Sequence, residues 1–248
     1  MNKKSLLTRS ATLLLSVGIS LSLSAATLVT NVKGYTLNEQ GKLIQFKRML
    51  VDDNGKVVSL DPNKVPAGTT KLDGHDKVLL PGLIDAHGHL LGLGGNLLEV
   101  DLRESGTMQE AAQWVAQYAM GHADQEWIKG RGWNQELWSD RSFPNAEVLD
   151  DVISNKPVWL TRVDGHAAWV NTKALELAGI TNDTPDPAGG QIIRDENGQA
   201  TGVLIDNAMD LVAEVMPKQS SKLYQAQLNA AGEHLLSVGI TAMHDAGI

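Results

Sequence analysis

Between residues 27 and 75 short apolar runs alternate with turn residues. Leu28-Val29-Thr30-Asn31-Val32 predicts a first strand and Asp52-Asp53-Asn54-Gly55 a turn, its Asn-Gly pair favouring a tight hairpin. Lys56-Val57-Val58-Ser59-Leu60 predicts the next strand. A longer apolar stretch over 78–90, punctuated by Pro81-Gly82, predicts a short buried strand. The period then changes. Thr107-Met108-Gln109-Glu110 has the form of a capping box, and Met108, Ala111, Ala112, Val115 and Ala119 follow at helical spacing. A helix is therefore expected over 107–121. Residues 126–130 and 157–163 predict strands, and Asn171 caps a short helix ending at Gly179. A longer helix spans 220–238, with Tyr224, Leu228, Ala231, Leu235 and Val238 on its buried face. Gly239 ends it, and Ile240-Thr241-Ala242-Met243 begins another strand. This alternation predicts an α/β fold with parallel pairing. Residues 130–134 read as a glycine-aromatic loop, 183–190 as a turn-rich loop and 195–199 as a hairpin turn.

The first residues stand apart from this pattern. Lys3, Lys4 and Arg9 precede an apolar run over 11–23, and Ser24-Ala25-Ala26 follows. That order predicts a secretory signal peptide cleaved near Ala26, and hence a periplasmic or extracellular protein. A membrane anchor is the competing reading. The run is short for a span and is interrupted by Ser16, Gly18, Ser20 and Ser22. The expected organisation is a signal over 1–26, a small β-unit over 27–75 and a main domain over 76–248.

Composition narrows the function classes. The 248 residues are 42% hydrophobic and 20% charged, with a net charge of -8. This is a globular composition, and the acidic balance argues against nucleic acid or an anionic membrane as partner. Cys is absent, which excludes thiol catalysis, disulfides and Cys-ligated zinc. No Gly-x-Ser-x-Gly elbow or Walker A sequence occurs, and no Gly-x-Gly-x-x-Gly fingerprint follows a strand.

Candidate chemistry gathers around histidine. His87 and His89, at i and i+2 at the end of the strand over 78–90, point to one face and can hold one metal ion. Such an ion lowers the pKa of a bound water and yields hydroxide near neutral pH. Gly92, Gly94 and Gly95 follow, as expected of an active-site loop at a strand's C-terminal end. His166 and His244 also fall where strands end, as site residues or as loop histidines bonded to backbone. Trp133 and Trp138 either wall a pocket for an apolar substrate group or cover the top of the core. Trp133, His166 and His244 are the candidate substrate-binding residues, and His87 and His89 the candidate metal ligands. His75, His122 and His234 receive no role.

These motifs together resemble the metal-dependent amidohydrolase superfamily, in the branch that includes N-substituted formamide deformylases. The resemblance runs through 81–89, Gly130-Arg131-Gly132-Trp133-Asn134, Leu149-Asp150, 164–171, Gly189-Gly190, 198–204 and 239–247. It implies a partial TIM-like (β/α) barrel preceded by a small β-sandwich-like unit. It also implies hydrolysis of a non-peptide, amide-type carbon–nitrogen bond in a small molecule, with zinc or a similar divalent ion as cofactor. By the same resemblance His87 and His89 are first-strand metal ligands and His166 lies near the pocket. An acidic residue, usually Glu, follows the Thr-Gly-Val-Leu segment in the family; here it is Asp206.

The family's members are longer, and their remaining ligands and proton-transfer carboxylate come from later strands. The expectation is therefore an N-terminal half, inactive alone, without an assignable catalytic residue. Only about four candidate barrel strands are present, and eight close a barrel. An open half-barrel would expose an apolar face, which a homo-oligomer could cover. The competing expectation is a non-catalytic exported binding or regulatory protein on a degraded amidohydrolase scaffold.

Overall fold

The computed structural model describes residues 26–247, so the expected export signal lies outside the described residues apart from Ala26. The chain divides into two units at Pro81/Gly82. The first contains β1 (Thr27–Leu37), β2 (Leu43–Phe46), β3 (Met49–Val51), β4 (Val57–Leu60) and β5 (Thr70–Leu79), all in one sheet. The boundary expected at 75/76 falls inside β5. β2 and β3 pair antiparallel with successive parts of β1, β4 pairs with β3, and β5 runs parallel to β1. Asp52 builds the predicted hairpin turn: its Oδ1 accepts from the Asn54 and Lys56 N–H groups at 3.0 and 2.8 Å, with Gly55 at φ 75°. Leu28, Val32, Phe46 and Leu50 are buried.

The second unit contains β6 (Leu83–Gly88), α1 (Leu90–Leu97), β7 (Val100–Asp101), α2 (Met108–Gly121), β8 (Ile128–Trp133), α3 (Ala146–Asp150) and β9 (Val158–Arg162). It continues with β10 (Ala167–Val170), α4 (Thr172–Leu177), β11 (Gly190–Arg194), β12 (Ala200–Asp206), α5 (Asp210–Ala213), α6 (Ser221–Ser237) and β13 (Ile240–Asp245). β6 and β13 pair in parallel as a two-stranded sheet. Between them the chain builds a separate six-stranded sheet, in the order β11-β12-β10-β9-β8-β7. β7, β8 and β9 run parallel, as predicted. β9, β10, β12 and β11 are antiparallel, which corrects the expectation of parallel pairing throughout. For β9/β10 and β11/β12 the physical reason is local: short turns at 163–166 and 195–199 return the chain directly, and only antiparallel neighbours can be joined that way.

Side chains alternate across the six-stranded sheet and build one core on each face. Val158, Leu160, Trp169 and Val203 pack with Ala111, Ala112 and Val115 of α2 and Leu149 of α3. Trp159, Ala168, Val170 and Leu204 pack with Ala174 and Leu175 of α4 and Val212 of α5. Thr107 caps α2 as predicted, its Oγ1 accepting from the Glu110 N–H. The Glu110 carboxylate reaches back to the Gly106 N–H at 2.7 Å, one residue beyond the usual box partner.

Four sequence expectations change here. The segment Gly130-Arg131-Gly132-Trp133 is the second half of β8, not a loop. Gly130 is needed because a Cβ there would lie 2.9 Å from the Val100 carbonyl oxygen and from the Leu160 side chain, on the two flanking strands. Gly92, Gly94 and Gly95 belong to α1, and a Cβ on Gly94 would fall 2.0 Å from the Gln227 carbonyl oxygen of α6. The residues of α6 that are buried are accordingly Gln227 and Ala231. Tyr224, Leu228 and Val238, expected inward, are exposed. Among the described residues β6 is not a buried strand either: Leu83 and Ile84 are 60% and 66% exposed, and β6 pairs with β13 in a two-stranded sheet.

Asn171 ties this unit together. It is fully buried, and its Oδ1 accepts from the Ala174 N–H, capping α4 as predicted, and from the Val158 N–H at the start of β9. Its Nδ2 donates to the Ile153 and Lys156 carbonyls at 3.0 and 2.9 Å. All four hydrogen-bonding positions of the amide are used. Asn171→Ala removes a cap and strands buried backbone groups, so a loss on the order of 3–4 kcal/mol is expected in urea unfolding. A loss below about 1 kcal/mol, an ordinary single hydrogen bond, would show that these contacts do not hold the unit together.

Candidate metal and ligand site

β6 ends in His87-Gly88, and His89 links it to α1 as that helix's N-cap residue. The two imidazoles are neighbours in an edge-on contact, with ring centroids 5.4 Å apart and planes at 83°. Two imidazoles on one tetrahedral cation, with metal–nitrogen distances of about 2.1 Å, would have ring centres about 5.2 Å apart. The observed separation fits one shared ion. Among the described residues no group of three or more His, Cys, Asp or Glu side chains is placed to hold a metal. The described chain thus offers two donors, where catalytic zinc usually has three from protein.

Backbone contacts fix this pair. The Asp85 Oδ1 accepts from the His87 N–H at 3.0 Å. His89 is the N-cap residue of α1 but offers no capping side chain. Asp245 of β13 supplies one instead: its Oδ2 accepts from the Leu90 N–H at 3.0 Å and its Oδ1 from the Gly247 N–H at 2.9 Å. These bonds, the Gly247 one foremost, lower the Asp245 carboxyl from its ordinary value. Gly247 lies against the His89 ring, where a Cβ would fall 2.1 Å from Nδ1. Gly88 is covered by the Met243 side chain in the same manner.

His166 sits in the turn between β9 and β10, on the six-stranded sheet and not beside β6. Its Nδ1 lies 2.8 Å from the Asp206 Oδ1, at the end of β12. Its N–H donates to the Asp164 Oδ1 at 3.0 Å, and Asp164 also accepts from Arg162 through both oxygens. His244 is exposed on β13. The strand-end histidines are therefore spread over two sheets. Trp133 is fully buried and lines no surface. Its Nε1 donates to the Leu160 carbonyl, and its ring packs on Trp138 and Trp169 at centroid distances of 6.1 and 6.4 Å. Of its two readings, the structure places Trp133 in the core and not at a pocket wall. Trp138 is buried there too, bonded to the Ser105 carbonyl.

Sequence reasoning missed the aspartates that set these histidines. A local signal was present. In Asp73-Gly74-His75, Asp85-Ala86-His87 and Asp164-Gly165-His166 the carboxylate accepts from the histidine N–H two residues on.

The sequence pattern of the amidohydrolase family matches residues 72–248, and the chain belongs to that family. It is 33% identical over 225 residues to Protein LONG AFTER FAR-RED 3 of Arabidopsis thaliana, covering 89% of this chain and 38% of that protein. It is 29% identical over 185 residues to N-substituted formamide deformylase of Arthrobacter pascens, covering 71% of this chain and 33% of that enzyme. The structure of an uncharacterized metal-dependent hydrolase from Pyrococcus furiosus superposes with a TM-score of 0.64 at 26% identity, over 88% of this chain and 44% of that one. The chain thus spans 33–44% of the lengths of these three proteins.

The Arg162–Asp164 pair gives a pH test. Hydrogen bonds from the Arg162 guanidinium, and then from the His166 N–H, bring the Asp164 carboxyl from 3.8 down to about 2. A carboxyl depressed by folding contributes stability that is present above 3.8 and is lost as pH falls toward 2. Arg162→Met is expected to return the Asp164 titration toward 3.8, read by carboxyl carbon NMR. A midpoint still near 2 would show that the guanidinium is not the cause.

Proposed function

We propose that this chain supplies the first ligands and part of the substrate rim of a metal-dependent hydrolase acting on non-peptide, amide-type carbon–nitrogen bonds of small molecules. In this reading β6 and β13 are neighbouring strands of a partial TIM-like barrel, preceded by a small β-sandwich-like unit, and residues 1–26 direct export. The observation that carries it is the proximity of the His87 and His89 rings, whose 5.4 Å centroid separation is close to that of two imidazoles sharing one cation. Family membership and the names of the deformylase and of the metal-dependent hydrolase support the same chemistry.

His87 and His89 would hold the ion, with zinc the leading candidate. When bound, such an ion supplies Lewis acidity toward water and toward the substrate carbonyl. Asp85 and Asp245 fix the main chain around the pair by taking the N–H groups of His87 and Leu90. His166 offers an exposed imidazole to the polar part of a substrate. Water adds to the carbonyl carbon, the carbon–nitrogen bond breaks and the amine leaves with a proton. No residue of this chain is assigned to carry that proton.

Zinc titration of the 248-residue chain by calorimetry is expected to show one site. His87→Ala and His89→Ala should each weaken it by at least about tenfold, the lower end of what even supporting partners contribute. Equal zinc binding by the double variant would refute the assignment. Binding of an N-substituted formamide that persists under chelation and in that double variant would favour a metal-independent binding protein instead.

A further inference from the structure

Asp206 occupies an unusual backbone conformation, φ 46° and ψ -122°. Side chains other than glycine rarely adopt it, and it persists only where the surroundings enforce it. Here the enforcement is visible. The Asp206 N–H donates to the His166 carbonyl at 3.0 Å. The Asn207 N–H donates to the Gly189 carbonyl, and its Nδ2 to the Ala188 carbonyl at 2.8 Å. Gly189 and Gly190 leave room for the strained turn: a Cβ on Gly190 would lie 2.2 Å from the Ala208 nitrogen, and one on Gly189 2.8 Å from the Asn207 amide. Three separated segments of the sequence (Gly189-Gly190, 200–206 and 164–166) thus meet at one point, and what they present is one carboxylate oxygen against one imidazole nitrogen.

The imidazole is fixed from the other side as well. Asp164 takes the His166 N–H and is itself held by Arg162, and Gly165 turns the chain at φ 83°. The ring's Nδ1 is committed to Asp206, and its side chain is 71% exposed. An ionised carboxylate only accepts hydrogen bonds, so the neutral ring beside it must carry its proton on Nδ1. That leaves the Nε2 lone pair facing outward.

We infer that Asp206 is a positioning residue that locks His166 in the Nδ1-protonated tautomer, so that Nε2 accepts a hydrogen bond from a substrate N–H. The substrate part rests on the hydrolase reading above, and it narrows the preferred substrates to amides that retain a hydrogen on nitrogen. A tertiary amide has nothing to give to Nε2.

The test is ring-nitrogen NMR of the nitrogen-15-labelled chain, with the His166 signals identified by their loss in His166→Gln. The wild-type ring, in its neutral form, is expected to be a single tautomer with hydrogen on Nδ1. Asp206→Asn should lose that single tautomer, and Asp206→Glu should restore it. Adding N-methylacetamide should move the Nε2 signal, whereas N,N-dimethylacetamide at the same concentration should not. Hydrogen on Nε2 in the wild type overturns the proposal whether or not any variant folds, and an equal response to the two amides overturns its substrate part. Failure of the hydrolase reading is seen separately, in zinc binding by His87 and His89, which this spectrum does not use.

Discussion

The parallel pairing of β6 with β13 is the constraint on which the rest of the second unit depends. Parallel neighbours cannot be joined by a tight turn, so the chain between them must leave the sheet and return. Here the excursion is long enough to build six strands and two cores. Its two ends are clamped to each other: α1 leaves directly after His89, α6 returns directly before β13, and Gly94 lets the two backbones touch at Gln227. That clamp keeps β13 beside β6. β13 in turn brings Asp245 to the Leu90 N–H and carries the chain to Gly247 on the His89 ring. A helix-to-helix contact therefore sets the placement of a candidate ligand pair.

The two halves of the second unit are stabilised differently. The six-stranded sheet is covered on both faces, and the buried indoles of Trp133, Trp138 and Trp169 each find a carbonyl for their N–H. Among the described residues β6 and β13 are less covered, and Leu83 and Ile84 are exposed. The geometry of His87 and His89 is therefore set by hydrogen bonds and by glycine contacts, not by burial. Carboxylate acceptors suit this role, since a charge-assisted bond to a main-chain N–H is directional even near solvent.

What was legible in the sequence follows the range of the interaction concerned. Asn54-Gly55, Thr107 with Glu110, and Asn171 all act on residues within a few positions, and each appears in the structure where its chemistry places it. The closeness of His87 and His89 follows equally from their separation by one residue. Burial was legible for Ala111, Ala112 and Val115 of α2 but not for most of α6, because it depends on a partner as well as on the residue. Tyr224 and Leu228 have helical spacing, yet α6 turns Gln227 and Ala231 inward, because Gly94 of α1 admits the helix backbone itself. Gly130-Arg131-Gly132 read as a loop because its glycines answer to neighbouring strands distant in sequence. The antiparallel half of the sheet was hidden by the same distance: the turns were visible, but not which strands they would pair.

The repeated Asp-x-His segments show where a local device stops and a site begins. In all three, the aspartate takes the main-chain N–H and leaves the imidazole free. At His75 the ring has only Asp73 beside it, 3.8 Å away, in a stretch where Asn31, His75 and Asp76 all adopt positive φ at an irregularity between β1 and β5. That arrangement is accounted for by the bulge. At His87 the freed ring meets His89, and at His166 it meets Asp206. The turn is common to the three, so it cannot be what distinguishes them. The distinguishing element is a second polar group brought by another part of the chain or by the next strand position. At Asp206 that group is held in a backbone conformation that residues other than glycine rarely adopt, by hydrogen bonds joining three separate segments of the chain.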